Sequence, residues 1–424
     1  MSRSLTAAAV IILGGLAACL PAGARSESAL AGPLWSWDAA AGYDRFTHTY
    51  ALATSDTSET VGESLLRFGL EGHSAPGARD RWRLRVEASA GSDLWRERLD
   101  ADWRRLDAGG VARVRASARI SGHQYRTGTD YGRSSDVVDA RLDVQAVPAA
   151  GLRRELFLTG WGGTTAFERA SPLEQDAREM GLGAGVRTRG WEGGVWSLAL
   201  RHAVRAYPDS ASIDRRTWSA EADWTHSLGD EGSARIYHRS EHRLAVDPQV
   251  RPDAWLHWLD AAVQAPVPAG LAVLELQAER WDYAVATDTW RDSWRLAGLV
   301  GLRRGDVLRA QWLLGLAAER YDAGASPETY DQVGLRVGAE SYGSRLTGTG
   351  TVEYGRRHYT DQTGGALDLT YTDFNYWRLW LLAECRLTGH LAISALGSWE
   401  PESHAEPRDD VSLGFASLRL VWRP

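Results

Sequence analysis

The sequence predicts an all-β protein, a transmembrane antiparallel up-and-down barrel of about twenty strands. Three observations predict it. Apolar and polar residues alternate with period two from residue 34 to residue 424. Short and long connections take turns between the alternating segments. Tryptophans gather near the segment ends, on the apolar face. Period two is the strand period, because successive side chains point to opposite faces of a sheet.

Residues 1–24 come first and read as an export signal. Arg3 supplies the positive start, residues 5–20 an apolar run, and Ala22-Gly23-Ala24 a small-residue cleavage site. Leu16-Ala17-Ala18-Cys19 resembles a lipobox, which would make Cys19 a lipidated first residue. Cleavage after Ala24 is the expectation adopted here, leaving 25–33 as a short periplasmic lead and 34–424 as the barrel. The strand pattern then starts too soon for a separate plug domain. Beyond residue 24 no apolar run reaches 18 residues, so no transmembrane helix is expected.

The alternation can be tested segment by segment. In 81–90, Trp82, Leu84, Val86, Ala88 and Ala90 oppose Arg81, Arg83, Arg85, Glu87 and Ser89. In 111–120, Ala112, Val114, Ala116, Ala118 and Ile120 oppose Val111, Arg113, Arg115, Ser117 and Arg119. In 137–146, Val138, Ala140, Leu142, Val144 and Ala146 oppose Val137, Asp139, Arg141, Asp143 and Gln145. A face this apolar, repeated so often, suits lipid better than the core of a soluble sandwich. Two segments, 152–161 and 256–264, carry apolar residues on both faces.

Tight turns rich in Gly, Pro and Asp are expected at 75–80, 107–110, 147–151, 189–194, 228–232, 267–270, 303–306, 341–345 and 387–390. Between them lie ten longer connections, among them 47–62, 91–95, 121–136, 163–178, 205–216, 239–253 and 356–375. Ten long loops joining paired strands give about twenty strands, with 18–22 as the range. An even count places both termini on the periplasmic side.

The chain holds twenty tryptophans, and its 48 basic residues are all arginine. Tryptophan favours the membrane–water interface, where an apolar ring and a polar N–H are both accommodated. Trp82, Trp95, Trp103, Trp218, Trp224, Trp294, Trp377 and Trp422 form the expected aromatic girdle. The formal charge of −7 moves to −8 once Arg3 is removed and gives no nucleic-acid footprint. With Cys19 gone, Cys385 stands alone on an apolar face, so no disulfide framework exists.

The chain resembles bacterial outer-membrane β-barrels of the porin type over residues 34–424. Its last strand, GFASLRLVWRP, alternates Gly414, Ala416, Leu418, Leu420 and Trp422 as such terminal strands do. Arg423 and Pro424 follow the aromatic, a departure from the usual terminal aromatic. The resemblance implies outer-membrane lipid around the barrel, recognition by the barrel-assembly machinery, and passage of small polar solutes.

The candidate pore lining is a run of arginines on three neighbouring strands. They are Arg81, Arg83 and Arg85, then Arg96, Arg98 and Arg104, then Arg113, Arg115 and Arg119. Glu87, Asp100 and Asp102 oppose them. Neighbouring strands bring such side chains to about 5 Å of one another. Unpaired they form a basic stripe that attracts anions; paired with carboxylates from elsewhere they form a mixed structural wall. No catalytic set is named: G-x-S-x-G and H-E-x-x-H are both absent, and His238 and His242, in or beside one long loop with Glu241, and His257 on the next strand read as ordinary residues. No metal ligand set or cofactor is expected.

The leading function is therefore a channel for small polar or anionic solutes. A second is a filled or closed barrel serving a protein partner in export, surface attachment or electron transfer. A third is a hydrolase at the barrel rim. Inward aromatics at Trp161, Trp281 and Trp380 would argue for partial filling.

Overall fold

The computed structural model describes residues 33–52, 55–75, 78–91, 94–107, 112–125, 137–151, 153–167, 175–190, 193–287, 289–306, 309–324, 326–360, 371–405 and 409–424. The signal segment and Cys19 lie outside them.

Twenty strands follow one another: β1 (Leu34–Leu52), β2 (Ser55–His73), β3 (Asp80–Gly91), β4 (Leu94–Leu106), β5 (Ala112–Tyr125), β6 (Val137–Ala150) and β7 (Arg154–Phe167). Next come β8 (Ala177–Arg189), β9 (Val195–Ala206), β10 (Arg215–Leu228), β11 (Gly232–Ala245), β12 (Ala254–Val267), β13 (Gly270–Tyr283) and β14 (Ser293–Asp306). The last are β15 (Ala310–Asp322), β16 (Tyr330–Tyr342), β17 (Leu346–Tyr359), β18 (Phe374–Arg386), β19 (Leu391–His404) and β20 (Val411–Trp422). Each pairs antiparallel with the next, and β20 returns to β1, with Val421 opposite Ala40 and Trp422 opposite Ala39. Closure satisfies the backbone of every strand within the sheet, which is what a membrane interior requires.

Register assigns every side chain to a face. One line across the sheet joins Arg83, Asp102, Ser117, Asp143 and Trp161. The line beside it joins Leu84, Ala101, Ala118, Leu142 and Gly162. The first face is concave, because one cavity is lined by its residues from Asp102 on β4 round to Tyr237 on β11. The second is convex and carries the exposed apolar residues, such as Leu182 at 73%, Leu200 at 63% and Leu316 at 63% relative exposure. Soluble proteins seldom expose an apolar patch beyond several hundred Å². On β1–β3 and β7–β20 this exposed apolar belt is a lipid-facing surface, while on β4–β6 the same face is buried at Ala101, Ala116, Ala118, Ile120 and Ala140.

Leu316 sits between Trp312 and Arg320 on β15, midway up that belt. Leu316→Arg should therefore cost about 2–4 kcal/mol. Urea unfolding of the barrel in detergent or bilayers checks it; a cost below about 1 kcal/mol would place this position at an interface instead.

Several expectations need correction. The stretch 47–62 is not a loop, since β1 and β2 each run 19 residues and pair from Leu34 with His73 up to Leu52 with Ser55. Alternation fades there because polar residues fall at both parities of these strand ends, which hides the period rather than breaking the strand. The stretches 121–136, 163–178, 239–253 and 356–375 begin or end inside strands in the same way. A 3-10 turn, Ala211–Ile213, lies between β9 and β10. The tight turns at 107–110 and 189–194, and the core of 121–136, lie partly outside the described residues.

Candidate functional site

The inner wall differs from one side to the other. The β1–β11 side is dense in ion pairs, and it holds the arginines singled out from sequence. Register puts Arg81, Arg83, Arg85, Arg96, Arg98, Arg104, Arg115 and Arg119 on the inner face, together with Glu87, Asp100 and Asp102. Five of the nine arginines are paired. Arg83 holds Glu71 through Nε at 2.8 Å, and Arg85 reaches Glu71, Glu87 and Asp38. Arg98 and Arg119 share Asp100 at 2.6 and 2.8 Å. Arg113 turns to Asp107 at the adjacent turn, at 2.9 Å.

Sequence reasoning missed Glu71, Asp38 and Asp107 as partners. Glu71 was findable, since it continues the polar parity of Arg67 one hairpin earlier. Asp38 was not, because it reaches Arg85 at 3.8 Å from β1, across the intervening β2. The other four, Arg96 among them, make no ion pair among the described residues. Arg81, Arg104 and Arg115 lie side by side on one register line, exposed to the lumen. None of the three makes an ion pair or side-chain hydrogen bond among the described residues.

The β12–β20 side carries more rings and two buried carboxylates border it. Glu241 on β11 sits between Arg239 and Arg243. Glu353 on β17 takes Arg336 Nε at 2.7 Å and the Tyr376 hydroxyl at 2.7 Å, with Arg378 at 3.9 Å. Above it Tyr330, Tyr359, Phe374 and Tyr376 pack as a cluster near the long-loop end. Arg357 lies 4.0 Å from the Tyr330 ring centre and donates to Gln332 Oε1 at 2.8 Å.

Trp161, Trp281 and Trp380 do sit on the inner face by register. Trp161 does not stand out into the lumen. Its indole lies across Gly181 of β8, where an added Cβ would meet the ring at 2.2 Å. Its Nε1 donates to Glu179 at 3.1 Å. Tyr376 lies across Gly355 of β17 likewise, its hydroxyl 2.4 Å from where a Cβ would stand. Glycine on one strand thus lets an aromatic on the next lie flat against the wall. In 152–161 this lets the inward Trp161 lie against the wall. Gly181→Val should push the Trp161 ring off the wall and lower single-channel conductance; an unchanged conductance would mean the lumen is wide enough there to ignore the ring.

The tryptophans expected in the girdle all fall on the outer face. Trp82, Trp103, Trp224 and Trp422 lie toward the short-turn end; Trp95, Trp218, Trp294 and Trp377 lie toward the long-loop end. Trp218 is 55% exposed, whereas Trp103 is packed among its neighbours at 7%. Trp422 meets Trp37 edge-on at 4.8 Å across the β20–β1 closure.

The histidines are placed differently from the sequence reading. His238 and His242 belong to β11 rather than to a loop, and they face outward while Glu241 between them faces in. His242 stacks on Trp255 at 4.1 Å, and His202 meets Trp218 at a tilt at 4.2 Å. They are interface side chains, and they do not converge with a nucleophile. Cys385 is exposed on the outer face. Among the described residues no group of three or more His, Cys, Asp or Glu could hold a metal.

Asp373, just before β18 and outside the spanning strands, anchors the long-loop end. It accepts from the Tyr359 N–H at 2.9 Å, lies 2.7 Å from His358 Nδ1 and 3.3 Å from Arg356. Burial alone would raise its carboxyl, but these hydrogen bonds outweigh it and hold the group below its ordinary value. The anchor therefore contributes stability at neutral pH and loses it only as pH falls through that lowered value. Asp373→Asn should flatten the acid limb of the stability profile; an unchanged acid limb would mean the anchor adds nothing.

No known protein family matches the chain, and no curated protein does. Solved structures match its fold. The copper transporter OprC superposes with a TM-score of 0.57 at 11% identity, over 94% of this chain and 82% of that one. A mutant ferric enterobactin receptor from Pseudomonas aeruginosa, solved with enterobactin, gives 0.55 at 9% identity, over 94% and 82%. The siderophore receptor PirA from Pseudomonas aeruginosa gives 0.53 at 10% identity, over 91% and 80%. At such identities the likeness is one of fold: a closed antiparallel membrane barrel, here with twenty strands.

Proposed function

We propose that this chain is an outer-membrane channel through which small polar solutes diffuse, with a preference for anions. The observation that carries this reading is the lumen row of Arg81, Arg104 and Arg115, three adjacent arginines exposed and unpaired among the described residues. Exposed like charges inside a low-dielectric tube focus a positive potential along the path of a solute. The chain's own residues provide selection, not chemistry, and the mechanism is diffusion through a charged lumen. Export through residues 1–24 and insertion by the assembly machinery would deliver it there. The copper transporter and siderophore receptors of like fold move or bind solutes, which agrees with a transport role.

The test is single-channel current of the full-length protein in a planar bilayer under a salt gradient. Stepwise conductance with a reversal potential on the anion side is expected. A folded barrel that inserts without conducting would instead support the filled-barrel reading. The aromatic cluster of Tyr330, Tyr359, Phe374 and Tyr376 is the observation that favours that second reading.

A further inference from the structure

We infer that the Arg81–Arg104–Arg115 row is a binding station for a multiply charged oxyanion, a small organic solute carrying two or three carboxylate or phosphate groups. This rests on the lumen being reachable, as the channel reading holds, and it adds a ligand class to that lumen.

The first argument is selective pairing. The sheet offers carboxylates to Arg83, Arg85, Arg98, Arg113 and Arg119, often two arginines to one acid. It offers none to these three among the described residues. Asp102, the lumen-facing acid nearest to Arg104 in sequence, lies opposite Arg83, two register lines away. Three adjacent guanidinium groups repel unless an anion or water lies between them.

The second argument is the shape and chemistry of the surroundings. Cavities of about 340 and 420 Å³ open on the two sides of the row, and both are lined by Arg104, Arg115, Gln145 and Arg187. These volumes fall within the range of small-molecule sites. On the far bank Arg187 and Arg189 share one carboxylate, Glu155, each at 3.6 Å. So five arginines surround the smaller cavity with one acid among them. The register line itself continues from Arg115 to Gln145 and Thr159. The Thr159 hydroxyl is buried and has no hydrogen-bond partner. It is a further donor on the same line, unsatisfied by the protein.

The third argument is spacing. Cross-strand neighbours hold their Cβ atoms about 4.5–5.5 Å apart. A chloride or a monocarboxylate can answer one guanidinium of the row and leaves the rest unanswered. An anion with charged groups a few bonds apart can answer two or three at once, and each fork can bind an oxyanion through two N–H groups. The second contact is then intramolecular, so affinity rises steeply with the number of charges.

The experiment uses the full-length protein in planar bilayers of potassium chloride, with citrate, tripolyphosphate and acetate added in turn. Citrate or tripolyphosphate should block chloride current at concentrations at least tenfold below acetate. The Arg81→Ser/Arg104→Ser/Arg115→Ser variant should lose that difference. The Arg98→Ser/Arg119→Ser variant, from the paired set, should retain it. Citrate and tripolyphosphate binding to the detergent-solubilised barrel, read by calorimetry, gives the same comparison without any current. Conduction without selective block and without binding heat would overturn the station while leaving the channel intact. Binding that the triple variant abolishes, in a barrel that does not conduct, would uphold the station and overturn the channel. Block by tripolyphosphate alone would narrow the class to phosphate esters, and block by citrate alone to carboxylates.

Discussion

Replacing Arg81, Arg104 and Arg115 together with serine should move the reversal potential toward cations, while Arg→Lys at the same three positions should leave its sign unchanged. The row contributes three charges that nothing in the described wall neutralises. Each kT of local potential removed changes anion occupancy roughly 2.7-fold, and potentials in such clefts reach several kT. A fall of about threefold or more in the anion-to-cation permeability ratio is therefore expected at low salt. The effect should shrink near 1 M salt, where the Debye length falls to about 3 Å. Lysine keeps the charge and loses the fork, so it separates the field from oxyanion geometry. An unchanged reversal potential in the serine variant would remove these residues from the permeation path.

The paired arginines make a weaker test. Arg83→Ser frees Glu71, and Arg98→Ser leaves Asp100 to Arg119 alone. Each such change removes a cation and also uncovers an acid, so a shift in selectivity would not report one site. Only the structure distinguishes the two sets. From sequence all nine arginines look equivalent, because period two assigns a face and says nothing of which strand supplies a counter-ion.

That distinction marks how far the sequence could be read. Faces were legible wherever apolar and charged residues alternate, as in 81–90, since a one-residue error would turn every apolar side chain inward. Strand number followed from turns whose glycine and proline content is local chemistry. The extent of β1 and β2 was not legible, because Thr47 to Ser58 mixes polar and apolar residues at both parities. Nor was the flat seating of Trp161 on Gly181. That contact joins residues twenty positions apart, and it depends on a register that one strand alone does not set. The buried acid Glu353 was missed for the same reason. Its partners Arg336, Tyr376 and Arg378 come from the strands on either side.

Removal of Glu353 should be the most destabilising single change on the inner wall. Its side chain is 4% exposed, while Arg336 and Arg378 beside it are 34% and 37% exposed. Glu353→Ala leaves those two guanidinium groups facing each other across the emptied position. It also strands the Tyr376 hydroxyl, whose residue is 2% exposed. Breaking a fully buried pair costs about 3–5 kcal/mol, and lumen water around the arginines should lower that to about 2–3 kcal/mol. Glu353→Gln keeps an acceptor for the hydroxyl and should cost about 1 kcal/mol. Tyr376→Phe removes one hydrogen bond to a charged acceptor and should cost about 1.5 kcal/mol. Urea titrations of the barrel in micelles, followed by tryptophan fluorescence, order the three variants if the slope stays constant. The order Ala, Tyr376→Phe, Gln is expected. Equal and small costs would mean that water enters this part of the wall and solvates the arginines as well as Glu353 does.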